Sequence, residues 1–125
     1  MISIKVVECI FYIIVSGILC CVVHEGSHFL MAKYFGETIK FEFTFGYLFN
    51  KIPVPRGIWE MPMKFSSFEK KVVAGAGFTG EFLFSIILYM LIQKMFIFYI
   101  VVAILHISAY SFYAGDASDF KWFKD

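Results

Sequence analysis

Residues 9–32 read CIFYIIVSGILCCVVHEGSHFLMA, and this stretch decides the fold. Residues 9–23 carry no charged side chain, and the apolar pattern continues beyond them. A helix that crosses a bilayer needs about 20 mostly apolar residues, so the run is long enough. Two histidines and a glutamate interrupt it at His24, Glu25 and His28. The sequence therefore predicts a first helix over about 6–35 that carries polar side chains into apolar surroundings.

Two more apolar stretches follow later in the chain. The second predicted helix covers about 68–93, and Ser66 and Glu69 form a capping-box pattern at its start. The third covers about 95–115 and contains no charged residue. Because Lys94 lies in a very short connection, helices two and three are predicted to form an antiparallel hairpin. The predicted fold class is membrane α-helical, with three transmembrane helices.

The composition also favours an integral membrane protein. Of the 125 residues, 60% are hydrophobic and 17% charged, whereas soluble domains have about 45–50% apolar and about 25% charged residues. So small a fold cannot bury that much apolar surface. A net charge of +1 gives no basic field for nucleic acid. We expect one domain over residues 1–125 in a lipid bilayer, and the sequence leaves its oligomeric state open.

The connection between helices one and two, residues 37–65, is predicted to be β-rich. Residues 39–45 alternate apolar and polar side chains, which is typical of a strand with one buried face. We expect a turn at Gly46 and a second strand over 47–52, because Pro53 disfavours a central strand. Trp59 suits a segment at the membrane interface. Open strand edges are costly in lipid, so this hairpin must lie at the interface or against protein.

The positive charges predict an orientation. Of the 11 Lys and Arg residues, only Lys5 and Lys94 lie on the side opposite the first connection. Positively charged loops favour the cytoplasm. We therefore expect the first connection, the ends of helices one and three and the active site to lie toward the cytoplasmic side.

The motif HExxH carries the chemistry. His24 and His28 share one helical face about 6 Å apart, so two imidazoles can reach one Zn²⁺. Glu25 lies beside them, where it could take a proton from a water that the metal activates. The alternative is a chance pattern of packed histidines. Two histidines and a glutamate in an apolar helix are costly without a function, which favours the metal site.

A catalytic zinc takes three protein ligands and keeps one open position. Asp116 and Asp119 are the candidate ligands on the same predicted membrane side, and their i, i+3 spacing would place both on one face of a helical turn. The alternative is a solvated helix end with surface acids. The residues alone leave open which of the two acids is the third ligand.

These motifs resemble the site-2 protease family of intramembrane zinc metalloproteases. Residues 24–36 are similar to the HExxHxxxA helix of that family with its following glycine, and residues 73–80 to its small-residue stretch. Residues 111–119 are similar to the segment that ends in the third ligand. Because Ser118-Asp119 fits the Ser-Asp-Gly form of compact members, the resemblance implies Asp119 as the ligand, with Asp116 in reserve. The chain departs from the family pattern at Phe78, Glu81 and Phe120.

Two further intramembrane residues need a role. Glu81 lies about 15 Å or more into helix two, where it could hold a water, contact substrate, pair with a histidine or simply bond between helices as a neutral acid. His106 lies about 20 Å from Asp119 along a continuous helix, too far for the same metal, so we expect an interhelical hydrogen bond. The Gly75–Gly80 stretch matches GxGxxG, but no strand precedes it, and its small residues instead predict close packing on the HExxH helix.

The expected activity is that of a zinc endopeptidase acting on transmembrane segments. His24, His28 and Asp119 would hold Zn²⁺ and Glu25 would be the base. An unwound substrate could add as a strand to the edge of residues 39–45. One alternative is a non-catalytic binding or regulatory protein that retains the fold, and another is a metal transporter, which flux in proteoliposomes would reveal.

Overall fold

The structure is a computed structural model that describes residues 1, 3–48, 50–112 and 119–123, and no side chain is described at 48, 54–56, 110–112 and 120. Three helices dominate it: α1 over Ile4–Tyr34, α2 over Ser67–Leu91 and α3 over Gln93–Phe112. Between α1 and α2 lie strands β1, Glu42–Leu48, and β2, Ile52–Ile58, and a 3-10 helix covers Asp119–Phe123. The three predicted helices and the small sheet between the first two are therefore present.

The ends of α1 follow from local sequence. The Ser3 side chain caps its first turn by accepting a hydrogen bond from the backbone N–H of Val6 at 3.3 Å. At the other end Gly36 has φ 92, a left-handed conformation that favours glycine. Glu37 N–H donates to Ala32 C=O, and Gly36 N–H donates to Lys33 C=O, both at 3.0 Å. This Schellman arrangement stops the helix just beyond the HExxH motif.

The predicted capping box at the start of α2 is confirmed. Ser66 N–H donates to Glu69 Oε2 at 2.7 Å, and Glu69 N–H donates to Ser66 Oγ at 3.2 Å. Only Ile92 separates α2 from α3, and Lys94, predicted in the connection, lies in the first turn of α3. The Lys94 ammonium donates to Glu8 of α1 and so ties the α2–α3 junction to the start of the chain.

The predicted hairpin boundaries are wrong. The first strand begins at Glu42 rather than Ile39, Gly46 pairs with Val54 inside the ladder, and the second strand runs over Ile52–Ile58 instead of 47–52. Proline is tolerated in β2 because a two-stranded sheet has only edge strands. The predicted buried face fails too: Ile39 is buried, but Phe43 and Phe45 are exposed. Asn50, with φ 57, lies between the strands.

The bundle interior contains two apolar clusters. One lies under the first connection and joins the end of α1 to the start of α2; its buried members are Ala32, Ile39, Met61, Phe65, Val73 and Ala74. The other lies where α1, α2 and α3 meet further along the bundle; its buried members are Cys20, Leu88, Met95, Tyr99 and Ala103. The polar side chains of the HExxH motif lie between these clusters along α1.

Most of the apolar surface faces outward. Two helices, α1 and α2, are long and apolar enough to cross a membrane by length and composition, and α3 contains a shorter apolar stretch, Gln93–Ala109. Exposed large apolar side chains run along all three helices, for example Phe11, Phe82 and Leu105, each more than 60% exposed. A contiguous apolar surface of this kind marks an interaction with lipid or protein.

Candidate metal centre

Three side-chain atoms converge beside the C-terminal part of α1. His24 Nε2 lies 2.9 Å and His28 Nε2 3.0 Å from the same oxygen, Oδ2 of Asp119, and the two nitrogens are 3.0 Å apart. All three residues are buried. They form a group positioned closely enough to hold one metal ion. The structure thus brings together the three residues that the sequence analysis selected as ligands.

The orientation of the His28 ring shows that this group needs a positive charge. His28 Nδ1 lies 2.7 Å from Val73 C=O, which can only accept, so Nδ1 carries a hydrogen. In the neutral ring Nε2 then presents a lone pair to the Asp119 carboxylate, and two acceptors 3.0 Å apart repel each other. A metal ion, or a proton between these two atoms, would remove this repulsion. Metal-ligating histidines usually make this backbone bond with their other nitrogen.

Asp119 lies outside the apolar helices, at the start of the 3-10 helix. Burial raises the pKa of its carboxyl, but hydrogen bonds with His24 and His28 outweigh burial and lower the pKa to about 2. The group is therefore a carboxylate at neutral pH, which is the form that ligates metals. Asp116, the reserve ligand of the sequence analysis, lies outside the described residues.

Close packing of α2 on α1 closes the site from one side. A Cβ atom on Gly77 would lie 2.5 Å from Cε1 of His24 and 2.6 Å from Nε2 of His28, so only glycine fits there. A Cβ atom on Gly80 would collide with the Ser27 side chain. The prediction that this small-residue stretch packs on the HExxH helix is confirmed.

Glu25 lies on the other side of the same turn, against the hairpin. Its side chain is buried, and its Oε2 has no hydrogen-bond partner among the described residues. A Cβ atom on Gly57 of β2 would lie 2.6 Å from both Cδ and Oε1 of Glu25. The hairpin backbone therefore approaches the carboxylate directly. A buried carboxylate oxygen without a partner is costly and points to a bound water or substrate group.

The far side of the His24 ring contacts two residues of the other helices. Glu81 Oε1 lies 3.2 Å from His24 Nδ1 and 2.5 Å from Nδ1 of His106. Of the roles open to Glu81, pairing with a histidine is the one seen. His106 makes the expected interhelical bond, but the estimate that put it far from the metal group was wrong. Its ring centroid is 4.7 Å from that of His24. The estimate assumed that Asp119 continues the same helix, whereas Asp119 lies in the separate 3-10 helix.

Aromatic rings around the histidines were missed by sequence reasoning. Trp59, predicted at the membrane interface, packs on His28 with ring centroids 4.7 Å apart. Phe78, noted only as a departure from a family pattern, packs edge-on against His24 at 4.6 Å. Both rings exclude water from the imidazoles. No sequence signal distinguishes them from the many other aromatic residues of this chain.

Comparison with protein-family models, curated proteins and solved structures finds no match to this chain. The interpretation of the site therefore depends on its own geometry and chemistry.

Proposed function

We propose that this chain is a zinc-dependent endopeptidase embedded in a membrane, and that it cleaves transmembrane segments of other proteins. The observation that carries the proposal is the convergence of His24 Nε2, His28 Nε2 and Asp119 Oδ2, with separations of 2.9–3.0 Å. Ligand atoms of a zinc tetrahedron with bonds of about 2.0–2.1 Å lie roughly 3.3 Å apart. The resemblance of residues 24–36 to the site-2 protease helix supports the same reading.

The donor set favours zinc over other ions. Two imidazole nitrogens and one carboxylate oxygen form a three-ligand set typical of catalytic zinc, with one position left for water or substrate. Calcium and magnesium prefer sites built entirely from oxygen ligands. When bound, zinc acts as a Lewis acid that polarises a peptide carbonyl and acidifies water.

Glu25 is the proposed general base. Its carboxylate follows His24 directly in the helix, and its Oε2 is buried without a described partner, so it is available to take a proton. Glu25 would accept a proton from the attacking water and then pass it to the leaving amine. The glycine at position 57 leaves room for this carboxylate beside the hairpin.

The hairpin supplies a surface for an unwound substrate. A transmembrane helix hides its peptide groups in its own hydrogen bonds, so it must unwind before cleavage. Strand β1 contains no proline, whereas β2 contains Pro53 and Pro55, which cannot donate from an edge. The edge of β1 therefore suits strand addition, and the exposed rings of Phe43 and Phe45 suit an apolar segment.

The proposed setting is a multi-pass membrane protein with its site toward the cytoplasmic side. Outward-facing apolar side chains along α1, α2 and α3 support three spans. The distribution of Lys and Arg along the sequence supports the orientation, because among the described residues only Lys5 and Lys94 lie away from the first connection and the 3-10 helix. Water then has a short path to the zinc.

The test is cleavage of a membrane-inserted substrate by wild-type protein and by Glu25→Gln, both in proteoliposomes loaded with zinc. The variant should keep zinc and lose cleavage by about 100-fold or more, because removal of a general base typically costs that much. Glu69→Gln, a carboxylate at the exposed start of α2, is the matched control and should retain cleavage. Undiminished cleavage by Glu25→Gln would remove Glu25 as the base. Stoichiometric zinc with no proteolysis of any membrane substrate would favour the non-catalytic alternative.

A further inference from the structure

A carboxylate joins two imidazoles on the side of His24 that faces away from the metal group. Glu81 Oε1 lies 3.2 Å from Nδ1 of His24 and 2.5 Å from Nδ1 of His106. Glu81 and His24 are each 1% exposed, and His106 is 19% exposed at the side chain. The three residues come from three different helices, so the arrangement depends on the assembled bundle.

We propose that Glu81 is a positioning residue that fixes the ring of His24 for metal binding, and that His106 in turn fixes Glu81. The proposal rests on the zinc function above. Because Glu81 Oε1 lies 3.2 Å from Nδ1 of His24, the carboxylate favours a hydrogen on Nδ1 and leaves the lone pair of Nε2 for the metal. Carboxylates in this outer position orient a ligating imidazole and raise its basicity.

The second histidine gives Glu81 a defined orientation. A lone carboxylate between helices can rotate, but His106 Nδ1–H donating to Oε1 at 2.5 Å holds that oxygen in place. The same oxygen then serves His24. The bond to a charged acceptor is also among the stronger hydrogen bonds, so it offsets part of the cost of burying Glu81.

The two ligating imidazoles are thereby held in different ways. His28 bonds through Nδ1 to a backbone carbonyl, that of Val73, which no substitution of that residue removes. His24 Nδ1 instead faces a side-chain carboxylate, that of Glu81 at 3.2 Å, which a substitution can change. Because of this difference, the contribution of the residue behind the imidazole to zinc affinity can be measured by mutation at His24 but not at His28.

A second metal ion is the competing reading of the same residues. His24, Glu81 and His106 form another group whose ligand atoms lie close enough for an ion. However, the 2.5 Å between Glu81 Oε1 and His106 Nδ1 is a hydrogen-bond distance, and it is shorter than the roughly 3.3 Å between ligands of one zinc. The geometry therefore favours a shared proton over a second ion, and we expect one metal per chain.

The test uses the full chain in detergent or nanodiscs, titrated with Zn²⁺ against a chelator and with Co²⁺ as a spectroscopic probe. Glu81→Gln should weaken zinc binding about 10–100-fold, which is the usual cost of losing an outer partner. It should also shift the visible Co²⁺ spectrum while the stoichiometry stays at one metal. Ser85→Ala is the matched control, because Ser85 is buried one turn further along α2 and its hydroxyl donates to the backbone carbonyl of Phe82.

His106→Gln extends the test and remains informative if Glu81→Gln does not fold. It should weaken zinc binding less than Glu81→Gln does. The double variant should lose no more zinc affinity than Glu81→Gln alone, because His106 acts through Glu81. Wild-type affinity and Co²⁺ spectrum in both single variants would overturn the proposal. Two metals per wild-type chain, with one lost in either variant, would overturn it in favour of a second metal site. Wild-type protein that binds no zinc would instead refute the proposed function itself.

Discussion

The two halves of α1, before His24 and from His24 onward, belong to one continuous helix but have very different surroundings. Before His24, Ser16 and Cys20 are the buried residues of this helix, and large side chains such as Ile14 and Ile18 are more than half exposed. From His24 onward, the side chains of His24, Glu25 and His28 are buried, and each has specific neighbours on α2, the hairpin or the 3-10 helix. The first half is therefore suited to general apolar surroundings, and the second half depends on individual atomic contacts.

Glycine substitutions test this difference, and Gly77→Ala should have the largest effect. The added methyl group would lie 2.5 Å from Cε1 of His24 and 2.6 Å from Nε2 of His28. The His28 ring is held at Nδ1 by the Val73 carbonyl, and the His24 ring is packed between Phe78 and His106, so neither ring can easily give way. We expect the free energy of unfolding to fall by about 1–3 kcal/mol and zinc affinity to fall with it. Thermal melting and a zinc titration measure the two effects.

Gly57→Ala should affect catalysis more than metal binding. Its methyl group would lie 2.6 Å from the Glu25 carboxylate and would displace it, while His24 and His28 stay in place. Because a displacement of about 1 Å can reduce turnover by about 100-fold, we expect a loss of cleavage with full zinc content. Loss of zinc in this variant would show that the hairpin supports the metal site rather than Glu25.

Gly17→Ala should be harmless or slightly stabilising, in contrast to Gly77→Ala. Apart from the neighbouring backbone of its own helix, no atom of the described residues lies within 4 Å of the position that its Cβ would take, and φ at this helical residue is not positive. Alanine in a helix interior is favoured over glycine by about 0.5–1 kcal/mol, so the melting temperature should rise slightly and zinc binding should not change. A similar loss of melting temperature and zinc affinity in Gly17→Ala and Gly77→Ala would contradict the difference between the two halves of α1.

The smallest effect is expected at the ion pair between Glu8 and Lys94. Both side chains are about half exposed, at 42% and 57%, and exposed ion pairs contribute little. Glu8→Gln should leave zinc content and cleavage unchanged, measured in the same assays as the glycine variants. A loss of zinc in Glu8→Gln would show that the half of α1 before His24 is coupled to the metal group.

The features that sequence reasoning predicted correctly depend on short-range spacing. The i, i+4 relation of His24 and His28 places them on one helical face wherever the helix lies. The capping box at Ser66 and Glu69 is a local pattern, and small residues such as Gly77 indicate a close helix contact without naming its partner.

The features that it missed depend on tertiary placement. The distance from His106 to the site was wrong because Asp119 does not continue the axis of α3. The start of the first strand was wrong because the apolar and polar alternation begins at Ile39, which packs in the core outside the ladder. The Val73 carbonyl that holds His28 is a backbone group, and no side-chain pattern could have indicated it.

The most direct test of the account is the zinc content of purified wild-type protein compared with Asp119→Ala, His28→Ala and Asp116→Ala. We predict one zinc per chain in the wild type. The zinc content should fall in Asp119→Ala and in His28→Ala and stay unchanged in Asp116→Ala. His28 and Asp119 would then both be required, as expected from atoms 3.0 Å apart that share one ion. Wild-type zinc affinity in Asp119→Ala would contradict the central claim.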